Sequence, residues 1–382
     1  MTNMSKPKVL TIVGTRPEVI KLSRVICELE LHFDHVLAHT GQNFDYELNE
    51  IFFEELGIRR PDHFLQAAGE NAAQTIANVI VASDRLIEQI APDAMLLLGD
   101  TNSCLSAISA KRRQIPIFHM EAGNRCFDAR VPEEINRKIV DHISDINMPY
   151  TEHARRYLLA EGVRPETIIK TGSPMYEVLG HYRKQIDESD VLSRLDLEAS
   201  KYFVVSCHRQ ENVDSPRRFA DFLDSLDAIA EKWGWPVIVS THPRTRKKLE
   251  ELGAGRESNE LIRFGKPMGL VDYVALQLGA ACVVSDSGTL TEEASILNFP
   301  AVTIRQAHER PEGPDAGALI MRDMKTERII AAIEMVIAQF DPSGRTAPMP
   351  PDYDVPNVSK KVAKTIAGYI DYVNRTVWRK QD

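Results

Sequence analysis

The feature that most constrains the fold of this chain is an alternation of short apolar runs with longer amphipathic stretches, which occurs in two series. In the first series, "KVLTIVG" is typical of a buried strand and "RPEVIKLSRVICELEL" of the helix that follows it. In the second, "YFVVSCH" and "SPRRFADFLDSLDAIAEKWG" restart the pattern after a hinge-like stretch near residues 174–200. Strands that alternate with helices form parallel sheets covered on both faces. The sequence therefore predicts an α/β fold of two doubly wound, Rossmann-like domains.

The length of the chain agrees with two domains, since 382 residues exceed the size of one ordinary core. We place the N-terminal domain at residues 1–174 and the C-terminal domain at residues 175–357. The Pro-rich stretch "TAPMPPDYDVPN" interrupts regular structure before the last helix. That helix, residues 358–382, is predicted to pack back on the N-terminal domain.

Composition and charge argue against several classes of partner. The net charge is −9 and no basic block occurs, which disfavours nucleic acid. Apolar runs such as "AMLLLG" are too short to span a bilayer, so no membrane insertion is expected. The N-terminal residues do not show the pattern of a signal peptide. The five cysteines are scattered without a C-x-x-C pair, which is typical of reduced thiols and indicates a cytoplasmic protein.

Polar side chains follow the predicted strands at their carboxyl ends. Ligands of doubly wound sheets bind beyond this edge, where neighbouring loops meet. Loops are polar by default, but such residues follow strand after strand in both halves of the chain. Two rows of polar loops, one in each domain, predict a polar interdomain cleft. The residues that follow these strands include Arg16, Asp100, Glu121, His208, His242, Ser287 and Arg310.

Two of these segments indicate a nucleotide diphosphate as the ligand. "GTRPE" provides a Gly turn and an Arg before a helix, and "SDSGTLTEE" provides small residues at a helix start with acids one turn later. Backbone N–H groups at helix starts bind phosphate, and an acid farther along can bind ribose. The chain has neither G-x-G-x-x-G after its first strand nor a P-loop, and no cluster with zinc spacing. We therefore expect no redox cofactor and no metal.

Nine motifs in this order carry a resemblance to a known family: "VGTRPEVIKL", "LLLGDTNS", "HMEAGNR", "VPEEINRKIVDHISD", "KTGSPMYE", "CHRQEN", "THPR", "SDSGTLTEEA" and "ERPEG". The chain resembles the non-hydrolysing UDP-N-acetylglucosamine 2-epimerases from about residue 8 to about residue 325. The resemblance implies a two-domain fold of GT-B type with UDP in the interdomain cleft. It also implies an isomerase that acts on a UDP-linked N-acetyl amino sugar and assembles as a homodimer.

Two segments are similar to one branch of that family. They are "HTGQNFDYELNEIFFEELGIRRPDHFL" and "HMEAGNRCFDARVPEEINRKIVDHISDINMPY". The branch forms UDP-N-acetyl-L-fucosamine, for surface polysaccharides such as O-antigen or capsule, by inverting C2 of UDP-2-acetamido-2,6-dideoxy-L-talose. Gln42 matches the glucosamine enzymes' site for an activating UDP-sugar, whereas residues 43–45 depart from it. The activator site is therefore left open. Phe127 lies in the second departing segment, and we expect it to border the sugar.

The resemblance also assigns roles to individual residues. It places catalytic roles on Asp100, Glu121, Glu133 and His208. Substrate-binding and UDP-binding roles fall on Arg16, Lys21, Arg137, His242, Ser287, Gly288, Glu293 and Arg310. We interpret Asp100 and Glu121 as the base and acid at C2, in an order that the sequence leaves open, with Glu133 supporting them. We expect His208 to bind the diphosphate or the departing UDP, because an imidazole donor stabilises negative charge.

Several of these residues also have structural interpretations. Asp100 precedes "TNSCLSAI" and could cap a helix. Glu134 follows Pro132 in a first helical turn, where the helix dipole stabilises an acid, so we interpret it as structural. Asp141 and His142 are likewise interpreted as helix-stabilising residues, and Cys126 as a packing residue.

Four alternative functions remain at this stage. The chain could be a UDP-N-acetylglucosamine 2-epimerase that forms UDP-N-acetylmannosamine, or a hydrolysing 2-epimerase that releases free sugar. It could also be a GT-B glycosyltransferase or a non-catalytic UDP-sugar sensor. The pair Asp100 and Glu121 argues against a sensor, which needs no proton-transfer groups. Deuterium exchange at C2 separates the epimerases from a transferase.

Overall fold

A computed structural model describes residues 6–42, 53–241, 243–252, 259–305 and 309–380 of the chain. The chain divides into two compact units. The first unit comprises Met1–Gly180 and Asp352–Asp382, and the second comprises His181–Pro351. The boundary predicted at residue 174 lies just before the short helix Met175–His181. Within the described ranges, no helix combines the length and the apolar character needed to cross a bilayer.

The first unit is built on a six-stranded parallel sheet with the order β3-β2-β1-β4-β5-β6. Its strands are β1 Lys8–Val13, β2 Asp34–His39, β3 His63–Phe64, β4 Ala94–Leu98, β5 Ile117–Met120 and β6 Ile146–Met148. Its described α-helices are α1 Arg16–His32, α2 Ala72–Ile90, α3 Ala107–Arg112, α4 Pro132–Ile143, α5 Glu152–Ala160 and α6 Met175–His181, which crosses the boundary; 3₁₀ helices cover Asn102–Ser106 and Pro165–Thr167.

The second unit repeats this plan with the order β12-β11-β10-β7-β8-β9, again all parallel. Its strands are β7 Phe203–Ser206, β8 Val237–Ser240, β9 Ile262–Gly265, β10 Cys282–Ser285, β11 Ala301–Ile304 and β12 Ile320–Arg322. Its described helices are α7 Arg183–Asp187, α8 Val191–Arg194, α9 Gln210–Val213, α10 Pro216–Trp233, α11 Pro243–Leu252, α12 Leu270–Gly279, α13 Thr289–Leu297, α14 Glu312–Ala316 and α15 Thr326–Gln339.

Both sheets have the strand order of a Rossmann fold, numbered from the first strand of each unit. The order reverses between β1 and β4 in the first unit and between β7 and β10 in the second. The predicted α/β class with two doubly wound domains is confirmed. Ligand-binding residues are therefore sought at the carboxyl edges of these two strand pairs, where diverging loops leave a crevice.

The strands are continuously apolar because helices cover both faces of each sheet. In the first unit, Leu10, Ile12, Met95 and Leu97 pack in one buried cluster, while Val9 is buried on the opposite face. One corresponding cluster in the second unit includes Phe203, Val205, Val237, Cys282 and Val302. These cores hold the strand ends in place, so that the loops beyond them can carry polar groups.

The last described helix, α16 Val358–Thr376, belongs to the first unit and packs against α1. At its start, the backbone N–H of Ser359 donates to Glu177 Oε2 at 2.9 Å. Just before it, Asp352 accepts a hydrogen bond from Lys170 at 2.7 Å. The chain thus leaves the first unit near residue 180 and returns to it near residue 352.

Three segments have local structure that their sequence patterns did not specify. "TNSCLSAISAKRRQ" is a 3₁₀ helix, Asn102–Ser106, followed by α3. The Ser106 hydroxyl bonds to the Ser103 carbonyl at 2.7 Å, and such local bonds compete with an α-helix. "TIIKTG" forms only an isolated bridge between Ile168 and Asn147. The hinge-like stretch 174–200 contains α6, α7 and α8. The helix predicted at "DYELNEIFFEELG" lies largely outside the described residues.

Candidate active site

The turn between β1 and α1 is tied to the loop after β4 by the buried carboxylate of Glu18. Its Oε2 accepts from the Gly14 N–H at 3.0 Å and from the Thr15 hydroxyl at 2.7 Å. Its Oε1 accepts from the Ser103 hydroxyl. Burial raises the pKa of Glu18 to about 7, although these three donors lower it. Glu18 therefore connects the two loops that meet at the switch point of the first sheet. Arg16, half-buried, begins α1 beside this turn.

Asp100 lies directly after β4 and is held by Arg137 from α4. Arg137 Nε and Nη2 donate to Asp100 Oδ2 at 2.8 and 2.6 Å. The arginine side chain is buried, whereas that of Asp100 remains 21% exposed. The backbone carbonyl of Asp100 accepts from the Asn136 side chain at 2.8 Å. Helix α4 thus fixes the position of Asp100, which stays open to solvent on one side.

Glu121 lies one position past β5, on the strand next to β4. Its Oε2 is 2.6 Å from Lys21 Nζ, in an ion pair of which both side chains are largely buried. Its backbone has φ of +62°, in the left-handed region that non-glycine residues adopt at a cost of about 1 kcal/mol or more. Asn124 donates to Glu121 Oε1 at 3.5 Å. The sharp turn places the carboxylate beside the end of the sheet.

A buried network of His119, Asp141 and Arg125 contacts the backbone beside Asp100. His119 Nε2 lies 2.8 Å from the Gly99 carbonyl, next to Asp100 in sequence, and its Nδ1 lies 3.0 Å from Asp141 Oδ1. Arg125 donates to Asp141 Oδ2 at 2.7 Å. Burial lowers the pKa of His119, but Asp141 outweighs it, so the net shift is upward. For Asp141, burial raises the pKa, while His119 and Arg125 bring the net shift below its usual value.

The two adjacent acids of α4 differ in environment. Glu134 is buried and accepts from Arg137 Nη1 at 3.0 Å. It also accepts from the backbone N–H groups of Cys126 and Phe127, at 3.1 and 3.2 Å. Glu133 is half-buried, and within the described parts of the chain no hydrogen bond or ion pair reaches its carboxylate. The interpretation of Glu134 as a helix-dipole residue alone was therefore incomplete.

At the corresponding edge of the second sheet, His208 pairs with Asp286. His208 Nδ1 lies 3.0 Å from Asp286 Oδ1, and the His208 ring remains partly exposed. Asp286 is fully buried and also accepts from Arg209 N and Asn212 Nδ2, both at 3.0 Å. Burial raises the pKa of Asp286, but His208 and these donors outweigh it and hold the pKa well below its usual range. The charged carboxylate fixes the orientation of the imidazole.

The start of α13 lies beside this pair. Ser287 Oγ is 3.0 Å from Thr289 Oγ1, and Gly288 is the residue before the helix. A Cβ added to Gly288 would lie 2.9 Å from Glu309 Oε1, so the backbone approaches this acid closely. Glu309 in turn bonds to Arg209 Nη2 at 3.2 Å and to Arg305. The helix start therefore faces a cluster of arginines and acids.

Two further predicted residues lie along α13 and after β11. Glu293 is buried and accepts from Gln277 Nε2 at 2.8 Å. Arg310 is buried and pairs with Glu292 at 3.2 Å. The remaining residue of this set, His242, lies outside the described residues.

The predicted site residues thus form two groups. The first sheet edge brings together Asp100 with Arg137 and Glu121 with Lys21, near the turn of Arg16. The second brings together His208 and Asp286, with Ser287 and Gly288 in the loop after β10. Sequence reasoning placed Asp286, Arg305 and Glu309 at strand ends without assigning them a role, and it missed the buried acids Glu18, Glu134, Asp141 and Glu292 as parts of the site. One signal was present, since Glu134, Arg137 and Asp141 recur at helical spacing on the buried face of α4.

Two doubly wound units, each with polar residues at the carboxyl ends of its strands, are the architecture of GT-B-type enzymes. The family model described as UDP-N-acetylglucosamine 2-epimerase matches residues 27–367. The chain belongs to the UDP-N-acetylglucosamine 2-epimerase family. It is accordingly an isomerase, a C2 epimerase of UDP-sugars.

Solved structures and curated relatives agree with this family. The UDP-N-acetylglucosamine 2-epimerase of Rickettsia bellii is 54% identical, with a TM-score of 0.92 over 98% of this chain and 100% of that chain. The UDP-GlcNAc 2-epimerase of Methanocaldococcus jannaschii, solved with UDP-GlcNAc and UDP, is 31% identical, with a TM-score of 0.88 over 94% and 99% of the two chains. The UDP-2,3-diacetamido-2,3-dideoxy-D-glucuronate 2-epimerase of Pseudomonas aeruginosa is 34% identical over 84% of this chain and 90% of its own length.

Proposed function

We propose that this enzyme inverts C2 of a UDP-linked N-acetyl amino sugar by eliminating UDP and adding it back. We further propose that the substrate is UDP-2-acetamido-2,6-dideoxy-L-talose and the product UDP-N-acetyl-L-fucosamine. The observation that carries the proposal is a pair of carboxylates, Asp100 and Glu121, at the ends of neighbouring strands, each held by one buried cation.

Inversion at C2 by elimination and re-addition explains why two carboxyl groups are needed. C2 of an N-acetyl amino sugar has no neighbouring carbonyl, so direct deprotonation to a carbanion is too slow. In the elimination, a carboxylate takes the C2 proton, the C–H electron pair forms a C1=C2 double bond, and UDP leaves with the C1–O electron pair. The product is a 2-acetamidoglycal. Re-addition reverses these steps, with a carboxylic acid on the other face delivering a proton to C2 while UDP oxygen bonds to C1.

Asp100 and Glu121 are the groups that we assign to these proton transfers. An acid on each face of C2 accounts for inversion, and the two acids exchange roles when the reaction runs backward. Arg137 and Lys21 restrict each carboxylate to one orientation, which reduces the reorganisation needed during reaction. Glu133, half-buried one turn before Arg137, is the third acid in this proposal and supports the sugar ring or one of the pair.

The second unit is assigned to UDP. His208, oriented by Asp286, donates to the diphosphate or to the departing UDP. The start of α13 at Ser287 and Gly288 offers backbone N–H groups to phosphate oxygens. Glu293 is assigned to the ribose hydroxyls, with Gln277 fixing its orientation. Arg16, Arg310 and His242 complete the proposed set of phosphate and substrate contacts.

The L-fucosamine assignment rests on the resemblance of two segments to that branch, and "NRCFDAR", residues 124–130, is the piece of the second that departs from the glucosamine enzymes. Within it, the ring of Phe127 is 70% exposed and packs edge-to-face on Tyr157, with centroids 5.2 Å apart. An exposed aromatic ring in this segment suits the apolar C6 methyl of a 6-deoxy sugar. The second candidate is a UDP-N-acetylglucosamine 2-epimerase, which the names of the relatives at 31% and 54% identity favour.

The experiment that tests the proposal is incubation of the enzyme with each of the two UDP-sugars in deuterated water. We expect deuterium at C2 of both epimers of the L-sugar with UDP still attached, and much less incorporation from UDP-N-acetylglucosamine. The reverse preference would establish the second candidate. No incorporation from either sugar would contradict an epimerase of these substrates, and release of free sugar would indicate hydrolysis.

Three further properties belong to the same proposal. The product would serve synthesis of surface polysaccharide, O-antigen or capsule, in the cytoplasm. The enzyme would assemble as a homodimer, as the family resemblance implies. Sedimentation equilibrium measures that state directly, and a mass of about one chain, 43.0 kDa, would contradict it.

A further inference from the structure

The carboxylate of Glu134 occupies the junction between the loop after β5 and the catalytic edge. It lies in the first turn of α4 and is buried. Donors converge on both of its oxygens. Oε2 accepts from Cys126 N and Arg137 Nη1, and Oε1 accepts from Phe127 N. Burial opposes the charge of this carboxylate, but the bonds from Cys126 and Arg137 bring its pKa below the usual value.

Arg137 divides its guanidinium between two carboxylates. Nη1 bonds to Glu134, while Nε and Nη2 bond to Asp100 Oδ2. The planar fork of arginine fixes the direction of one pair of donors once the other is engaged. The Glu134 bond therefore determines which edge of the guanidinium faces Asp100.

The same carboxylate holds an unfavourable backbone conformation. Phe127 has φ of +56°, which is uncommon for an aromatic residue and costs about 1 kcal/mol or more. Glu134 accepts from the consecutive N–H groups of Cys126 and Phe127, and thus stabilises this turn. The turn sets the orientation of the exposed Phe127 ring. Glu134 therefore stabilises both the loop conformation and the ion pair of Arg137 with Asp100.

We propose that Glu134 is a positioning residue for the epimerase reaction, which holds Arg137 on Asp100 and fixes the Cys126–Phe127 turn. Through it, the conformation of the loop that departs from the glucosamine enzymes is coupled to the orientation of a catalytic carboxylate. This inference rests on the role of Asp100 in the proposed function.

A glutamine at position 134 cannot accept all the hydrogen bonds that Glu134 accepts. Every group that bonds to its oxygens is a donor, whereas an amide accepts on one side only and presents an N–H on the other. Glu134→Gln therefore loses the bond to Phe127 or the bonds to Cys126 and Arg137. Glu152→Gln is the matched control, because Glu152 also lies in a first helical turn of this unit, but its carboxylate is partly exposed and pairs with Arg156 and Lys170.

The test is a double-mutant cycle of Glu134→Gln and Arg137→Lys, with C2 deuterium incorporation as the rate. Lysine keeps the charge but cannot bridge two carboxylates with a fork. We expect Glu134→Gln alone to lower kcat about tenfold to a hundredfold, with KM changed less than about threefold. In the Arg137→Lys background the same change should cost less than about threefold. Glu152→Gln should stay within about twofold of the wild type.

Two results would overturn the inference. One is a kcat near the wild-type value in Glu134→Gln. The other is a cycle in which the two single effects multiply, because a residue that only stabilises the fold acts independently of Arg137. Failure of the proposed function is recognised separately, by an active Asp100→Asn variant or by the absence of C2 exchange in the wild type.

Discussion

The two sheets have the same strand order, but the side chains at their carboxyl edges differ in chemistry. At the first edge, two carboxylates, Asp100 and Glu121, are each held by a buried cation and remain partly accessible. At the second, the carboxylate of Asp286 is fully buried and the partly exposed group is an imidazole, beside a helix start. On the proposed assignment, one topology presents proton-transfer groups in one unit and anion-binding groups in the other. The fold provides the edge, and the loop residues determine its chemistry.

The largest effect should come from removing a proton-transfer group of the first edge. Asp100→Asn leaves the bonds from Arg137 largely possible but cannot take a proton. We expect C2 exchange to fall by about a thousandfold or more, within the range of general acid–base catalysis. Deuterium incorporation followed by mass spectrometry measures this loss, with Glu152→Gln as control. Turnover close to that of the wild type would remove Asp100 from the catalytic residues.

A smaller effect is expected from the buried acid of the second edge. Asp286→Asn cannot accept from His208, Arg209 and Asn212 on both oxygens. We expect turnover to fall about a hundredfold, since the imidazole loses its orientation, and stability to fall by about 1–3 kcal/mol. Kinetics and thermal unfolding test the two parts. A loss of stability with unchanged turnover would show that the orientation of His208 by Asp286 does not contribute to the reaction.

The pH dependence of the free energy of unfolding tests the protonation of Glu18, which connects two loops at the first edge. The pKa of Glu18 is raised to about 7 by burial, above the unfolded value of 4.5. The folded state therefore binds the proton more tightly, so this contribution is present below pH 4.5 and is lost as pH rises through 7. Glu18→Gln mimics the protonated acid.

We expect the Gln variant to match the wild type near pH 4 and to exceed it by about 1–3 kcal/mol near pH 8. Urea unfolding at both pH values is the measurement. Equal stability differences at the two pH values would mean that folding does not raise the pKa of Glu18.

The smallest effect is expected at Phe127, whose ring is largely exposed. Phe127→Ala should change stability by less than about 0.5 kcal/mol, because little surface is buried there. The ratio of kcat/KM for the L-talo sugar to that for UDP-N-acetylglucosamine should fall about threefold to tenfold, through loss of a methyl contact. An unchanged ratio would remove Phe127 from the residues that select the sugar.

Sequence patterns predicted the elements of this fold better than the contacts of its site. The alternation of apolar runs and helices identified most strands, because helices on both faces of a sheet require them to be apolar. The partners of individual acids depend on loops that return from distant positions. Glu18 meets Ser103, and Arg137 meets Asp100, over separations that periodicity does not encode. Glu134 was interpreted from its place in a helix alone, and its bonds to the loop at Cys126 and Phe127 became evident only in the structure.

The division of roles between the two edges is tested most directly by the dissociation constant of UDP for Asp100→Asn and His208→Ala, measured by titration calorimetry. We expect Asp100→Asn to bind UDP within about threefold of the wild type, because its change lies at the edge that we assign to proton transfer. His208→Ala should bind UDP about tenfold more weakly, through loss of a donor to the diphosphate. Equal weakening in both variants, or loss only in Asp100→Asn, would contradict the assignment of the two edges.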